Sequence, residues 1–165
     1  MNNNITLIGM PGAGKSTVGI ILAKLSAKGF IDTDILIQIN HQESLQSIID
    51  TRGHLHLRDI EEQEICKLNV DNHVIATGGS AVYGARAMEH LQKGSTLVYL
   101  EASLEEIRRR IPNFDTRGIA RRPDQSLDAL FQERTDLYRQ YAHVTIDTEG
   151  KQLDSIAEEI ITKIS

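Results

Sequence analysis

Cysteine is almost missing from this chain of 165 residues; Cys66 is the only one. A lone thiol cannot close an internal disulfide, so a reducing, cytoplasmic compartment is the expected home. Its surroundings, "EEQEICKLNV", make it an apolar helix position. Long apolar runs are missing as well: nothing approaches the roughly 18 residues that cross a bilayer. The opening "MNNN" has neither the basic nor the apolar region expected of a secretory signal. Positive charge is in deficit, with 18 Lys and Arg against 23 Asp and Glu, a net charge of -5. That argues against a general nucleic-acid or membrane-surface binder, which needs a basic face. No repeat or low-complexity segment interrupts the chain. Its 40% hydrophobic and 25% charged residues are those of an ordinary globular protein, and its length fits one domain, 1–165, with a real core.

Short apolar runs alternate with helical patterns. Strands are expected at 4–9, 30–34, 73–79, 95–101 and 143–148. Helices are expected at 15–29, over most of 35–70 with a break near Gly53, and at 84–94, 103–111, 126–142 and 153–164. "SLEEIRRRI" opens with Ser103 and has Glu106 three residues on, a capping-box pattern. Such alternation predicts an α/β fold, a parallel sheet covered by helices on both faces. The stretch 112–124, "PNFDTRGIARRPD", fits no element and reads as a mobile lid.

"GMPGAGKS" carries Gly9, Gly14, Lys15 and Ser16 in the spacing G-x-x-x-x-G-K-[ST]. Between a strand and a helix, such a loop turns successive backbone N–H groups inward around phosphate oxygens. The helix that follows adds the positive end of its dipole. The expected nucleotide contacts run over Gly12, Ala13, Gly14, Lys15, Ser16 and Thr17, with Lys15 on the β- and γ-phosphates and the Ser16 hydroxyl on Mg²⁺. No N-K-x-D base-reading motif of GTPases appears. A chain this short, with a second acidic strand end and an arginine-rich lid, points to a small-molecule kinase.

Asp32 and Asp34 stand two apart, and strand periodicity turns both toward one cleft at the carboxyl end of the sheet. One can help to hold Mg²⁺ and the other can accept the proton of an attacking hydroxyl; a solvated acidic turn is the plainer reading. Eight of the eleven arginines fall between positions 108 and 139, where there is no lysine. Planar guanidinium groups suit bidentate binding of phosphate and carboxylate. Arg58 and Glu61, three apart on a helix, are expected to pair. His54 and His56 form H-x-H without a third metal ligand at convincing spacing and read as helix surface.

Taken in order, "GMPGAGKSTVG", "DTD", "LRDIE", "ATGG", "RRP" and "ERTDLYRQYA…IDT" resemble the shikimate kinase family, from residue 4 to about 148. The resemblance implies a three-layer, nucleoside-monophosphate-kinase-like P-loop fold with five parallel strands in the order 2-3-1-4-5. It implies transfer of the γ-phosphoryl group of ATP, with Mg²⁺, to a small carboxylate-bearing alcohol, shikimate first. Position by position, it implies that Ser16 and Asp32 hold Mg²⁺ and that Asp34 meets the acceptor hydroxyls and serves as base. Arg58 and Arg134 grip the carboxylate, with Glu61 orienting Arg58, in a site that uses the helical segment 35–65. Gly78 and Gly79 let backbone amides approach the ring. Arg122 is the lid arginine that closes on ATP, and Arg110 lies on adenine; Lys15, Asp34 and Arg122 form the catalytic set. The expected state is a monomer, with no nucleic-acid or membrane partner.

This chain departs from the family pattern at several places. Ser80 stands where a third glycine is usual, and "GHLHLR" puts His54 and Leu57 where Glu and Phe are usual. The lid reads "RRPDQSL", and Asp136 replaces a common proline. Two rivals therefore stay open: a related kinase of another hydroxy acid, polyol acid or nucleotide, and a non-catalytic nucleotide-binding relative.

Overall fold

A computed structural model describes residues 3–165. Five strands form one parallel sheet: β1 (Asn4–Ile8), β2 (Gly29–Asp32), β3 (His73–Ala76), β4 (Ser95–Glu101) and β5 (Val144–Asp147). Their order across the sheet is β2-β3-β1-β4-β5, as expected. The helices are α1 (Lys15–Leu25), α2 (Thr33–His41), α3 (Leu45–Arg52), α4 (His54–Cys66), α5 (Ala85–Gly94), α6 (Leu104–Arg110), α7 (Leu127–Tyr141) and α8 (Leu153–Ile164). Helix α1 packs on α8, and α4 on α5. Right-handed crossovers in this strand order put the first pair and the second on opposite faces of the sheet. β1 is buried at all five positions because it is central and covered on both sides.

Several boundaries differ from expectation, and two of them shape the site. The second strand stops at Asp32, and Asp34 belongs to the first turn of α2. Asp32 ends the strand by capping the helix: its Oδ1 accepts from the backbone N–H of Asp34 at 3.0 Å and of Ile35 at 3.2 Å. The helical region 35–70 also breaks at a second place, with Gln42 left-handed (φ 52°) and Ser44 capping α3 through the N–H of Ser47. Only half of the expected capping box forms. Ser103 Oγ accepts from the N–H of Glu106, but the Glu106 carboxylate turns to Arg109 and Arg110.

Most of the core lies between sheet and helices. A second, smaller cluster joins Ile37, Ile48, Leu57 and Ile60 of α2, α3 and α4 with Ala120. That contact pins the middle of segment 112–124 onto the helical region. The N–H of Gly118 adds a bond to Gln46 Oε1 at 2.7 Å. No helix among the described residues is long and apolar enough to cross a membrane.

Candidate active site

The carboxyl ends of β1, β2 and β3 open into one cleft of about 370 Å³. Its floor is the loop between β1 and α1. Gly12 (φ 82°) and Gly14 (φ 94°) hold left-handed backbone there that a side chain would strain. Gly12, Gly14, Lys15, Ser16 and Thr17 line the cleft. Ala13 does not: its N–H closes the turn on Met10 O at 3.1 Å, and its methyl group is buried. The first helical bond of α1 runs from Val18 N–H to Gly14 O, so the amides before it have no partner within the helix and are donors for an anion. Lys15 is 8% exposed and donates to the carbonyls of Gly9 at 2.6 Å and Met10 at 2.8 Å. Burial pulls its ammonium down to about 8, against the attraction of Asp34.

Ser16 and Asp32 meet beside this loop: the hydroxyl donates to Asp32 Oδ2 at 2.5 Å. A hydroxyl and one carboxylate, both hard oxygen donors, fit a Mg²⁺ ion that takes its remaining ligands from phosphates and water. Among the described residues no group of three or more His, Cys, Asp or Glu side chains gathers as a metal site, and His56 lies at the surface beside Arg52.

Asp34, Glu61 and Arg134 face the same cleft from α2, α4 and α7. Their approach explains the glycine pair after β3. A Cβ on Gly78 would meet Asp34 Oδ1 at 2.6 Å and Glu61 Oε1 at 2.9 Å; one on Gly79 would meet Arg134 Nη1 at 2.6 Å. Burial, then the neighbouring Asp32, pushes the Asp34 carboxyl up to about 6. Burial, then Asp34, pushes Glu61 up to about 7. Arg134 is 1% exposed and donates to Ala120 O at 2.5 Å, which ties α7 to segment 112–124.

Three expected relations change. Glu61 does not pair with Arg58; its Oε2 accepts from Ser80 Oγ at 2.5 Å, and Arg58, which is not a lining residue, sits over the Tyr83 ring with its guanidinium carbon 3.6 Å from the centroid. Ser80 offers a hydroxyl where glycine was expected, and that hydroxyl reaches Glu61. The amide of Gly78 is taken by Thr33 Oγ1 at 3.2 Å, which leaves the Gly79 amide of the pair. Arg122 reaches Glu133 Oε2 at 3.4 Å and is not a lining residue, whereas Arg117 is. Arg110 lines the cleft and donates to Gly12 O at 3.1 Å.

Sequence reasoning left Tyr83, Glu133 and Tyr138 without a part. Tyr83 Oη donates to Glu133 Oε1, and Tyr138 Oη to Gly79 O, both at 2.6 Å. Glu61 and Arg134, already named, carried a further signal. Leu130, Arg134 and Tyr138 recur every four residues, as do Leu57, Glu61 and Ile65, and all six are buried. A charge on an apolar stripe is costly unless it is paired, so it marks a site.

The family model described as shikimate kinase matches residues 11–165. A shikimate kinase of Paracidovorax citrulli is 39% identical over 98% of this chain and 91% of its own length. One from a Sulfurihydrogenibium species is 34% identical over 98% of this chain and 97% of its own length. Among solved structures, the Acinetobacter baumannii shikimate kinase in complex with shikimate is 33% identical with a TM-score of 0.91, covering 98% of this chain and 92% of that one. With the strand order, the phosphate loop and the carboxylate–arginine cleft all in agreement, the chain belongs to the shikimate kinase family.

Proposed function

We propose that this chain transfers the γ-phosphoryl group of ATP to a hydroxyl of shikimate, releasing ADP and 3-phosphoshikimate. One observation carries the reading: a phosphate loop shares a single cleft with the half-buried carboxylate of Asp34 and the buried guanidinium of Arg134. Phosphoryl transfer needs little beyond position and charge neutralisation, so an acceptor held between these groups meets its donor with the required polarity.

Gly12, Gly14, Lys15, Ser16 and Thr17 bind the phosphates, with Ala13 shaping the loop from behind. Lys15 exchanges its two carbonyl partners for phosphate oxygens, and the phosphate charge restores its ammonium. Ser16 and Asp32 would hold Mg²⁺, which would neutralise charge on the phosphates. Asp34 takes the hydroxyl proton; a carboxyl at about 6 is largely ionised at neutral pH and still basic enough for the task. Arg134 and Arg58 receive the acceptor carboxylate, and Glu61 and the Gly79 amide meet the ring beside Gly78. Arg110 borders the adenine, and Arg122 leaves Glu133 to close on ATP with segment 112–124. The same reading makes the chain one catalytic unit, a cytoplasmic monomer in which the single thiol of Cys66 stays reduced.

ADP release from Mg-ATP, measured with and without shikimate, tests the reaction. Release should depend strongly on shikimate. Equal rates with and without it, at intact nucleotide binding, would rule shikimate out as the acceptor.

A further inference from the structure

The turn after β3 carries Ser80 and Tyr83, and between them they separate two residues whose spacing favours a pair. Arg58 and Glu61 stand one turn apart on α4. Ser80 takes one oxygen of Glu61, and both residues are buried. The Arg58 guanidinium carbon sits over the Tyr83 ring, 3.6 Å from its centroid, and the Arg134 guanidinium carbon stands 5.5 Å from the same centroid. Nε and Nη2 of Arg58, and Nε of Arg134, are buried without a hydrogen-bond partner. Idle donors on a buried cation are costly unless an anion takes them. A ring against the face of a guanidinium leaves its N–H groups, which lie in the plane, open at the edge. Tyr83 is itself fixed through its hydroxyl on Glu133.

We propose that the Ser80–Tyr83 turn is a positioning device for the acceptor: Ser80 keeps Glu61 off Arg58, and Tyr83 presents Arg58, edge free and beside Arg134, to the acceptor carboxylate. The proposal rests on the kinase reading above and adds that an aromatic face, not an acidic partner, orients Arg58. Neither residue touches the reacting atoms, so the effect belongs in acceptor affinity rather than in nucleotide affinity.

The test combines KM values for shikimate and Mg-ATP in Tyr83→Leu, Tyr83→Phe and Ser80→Gly with the NMR signal of the Arg58 Nε–H in the full chain. Tyr83→Leu should raise the shikimate KM about tenfold, the loss of one desolvated cation–π contact, with the ATP KM changed less than about twofold. Tyr83→Phe keeps the ring and should recover most of the loss. The Arg58 signal, shifted by the ring in the wild type, should move in Tyr83→Leu, in Ser80→Gly where Glu61 is released, and in the wild type on adding shikimate. If the wild type turns shikimate over while Tyr83→Leu leaves its KM or the Arg58 signal unchanged, the proposal falls and the kinase reading stands. An equal rise in both KM values would reduce Tyr83 to a packing residue and also overturn it. If shikimate neither stimulates ADP release nor moves the wild-type Arg58 signal, the acceptor reading fails and takes the proposal with it.

Discussion

The phosphate loop and the acceptor side share one cleft but are written in the sequence in opposite ways. The loop is one continuous stretch, Gly9–Thr17, whose conformation follows from local glycines and the start of α1. The acceptor side draws Asp34, Glu61, Gly79 and Arg134 from four separated segments, brought together only when α2, α4, α7 and the turn after β3 pack at the sheet end. A local motif can be read residue by residue; a site assembled by packing yields its members but not their partnerships. That difference also says where each end is fragile. The loop depends on backbone geometry, whereas the acceptor side depends on buried charges that must balance one another.

The largest effect that separates the two ends is expected from Asp34→Asn. It removes the proposed proton acceptor without touching the phosphate loop, so turnover should fall by about 10²–10⁴-fold. Nucleotide binding, followed by calorimetry with an ATP analogue, should stay close to that of the wild type. Retained turnover would remove Asp34 from the chemistry and leave the carboxylate as an acceptor contact only. Lost nucleotide binding would show that the two ends are not separable in the way their construction suggests.

Asp34 also marks how far the sequence could be read. All five strands were legible because a buried parallel sheet demands short apolar runs between helices; their order came only with the family resemblance. The residues Lys15, Ser16, Asp32 and Asp34 were legible because the phosphate-loop spacing and the Asp-Thr-Asp triplet are local. The reason given for Asp34 was nevertheless wrong in its geometry: it enters the cleft from the first turn of a helix that Asp32 caps, not by strand alternation. Arg58 and Glu61 show the other limit. Helical spacing permits their pairing, but Ser80 and Tyr83, some 20 positions away, compete for both and win. Nothing in the local pattern around Arg58 could reveal that. Leu57–Glu61–Ile65 and Leu130–Arg134–Tyr138 did carry a message, that burial without a local partner reserves a charge for tertiary contact.

Stability against pH sharpens the comparison from the acceptor side. Glu61 is raised from 4.5 to about 7 and Asp34 from 3.8 to about 6. Folded protein therefore holds protons that the unfolded chain has released across this window, and stability falls as pH rises through it. Lys15, lowered from 10.5 to about 8, has the opposite sign: folded protein has shed a proton that the unfolded chain keeps, so stability recovers between about 8 and 10.5. Melting temperature should thus pass through a shallow minimum near pH 7–8. Glu61→Gln keeps an acceptor for the Ser80 hydroxyl and removes the titrating charge. It should flatten the acidic limb and raise the melting temperature at neutral pH, by about 2–4 °C for each kcal/mol relieved in a chain of this size. Parallel pH curves for the wild type and Glu61→Gln would mean that the buried carboxylate is not what the fold is paying for.

The smallest effect concerns segment 112–124, which touches both ends of the cleft. Its middle is already held: Gly118 N–H is bonded to Gln46, and Ile119 and Ala120 are buried. Its flanks are held differently, with Arg117 lining the cleft and Arg122 resting on Glu133. A lid hinged at a fixed middle should respond to ligands at its flanks. With a non-hydrolysable ATP analogue and shikimate added together, amide exchange at residues 115–117, 121, 122 and 124 should slow by about tenfold, or about 1.4 kcal/mol of local opening free energy. The Gly118 amide should change much less. Neither ligand alone should produce the full effect, since closing over the nucleotide while excluding water requires both sides of the cleft to be filled. Uniform slowing across the segment would mean that it closes as one rigid flap and that the contact with α3 opens first. No slowing at either flank would leave Arg122 on Glu133 throughout and exclude it from transition-state stabilisation.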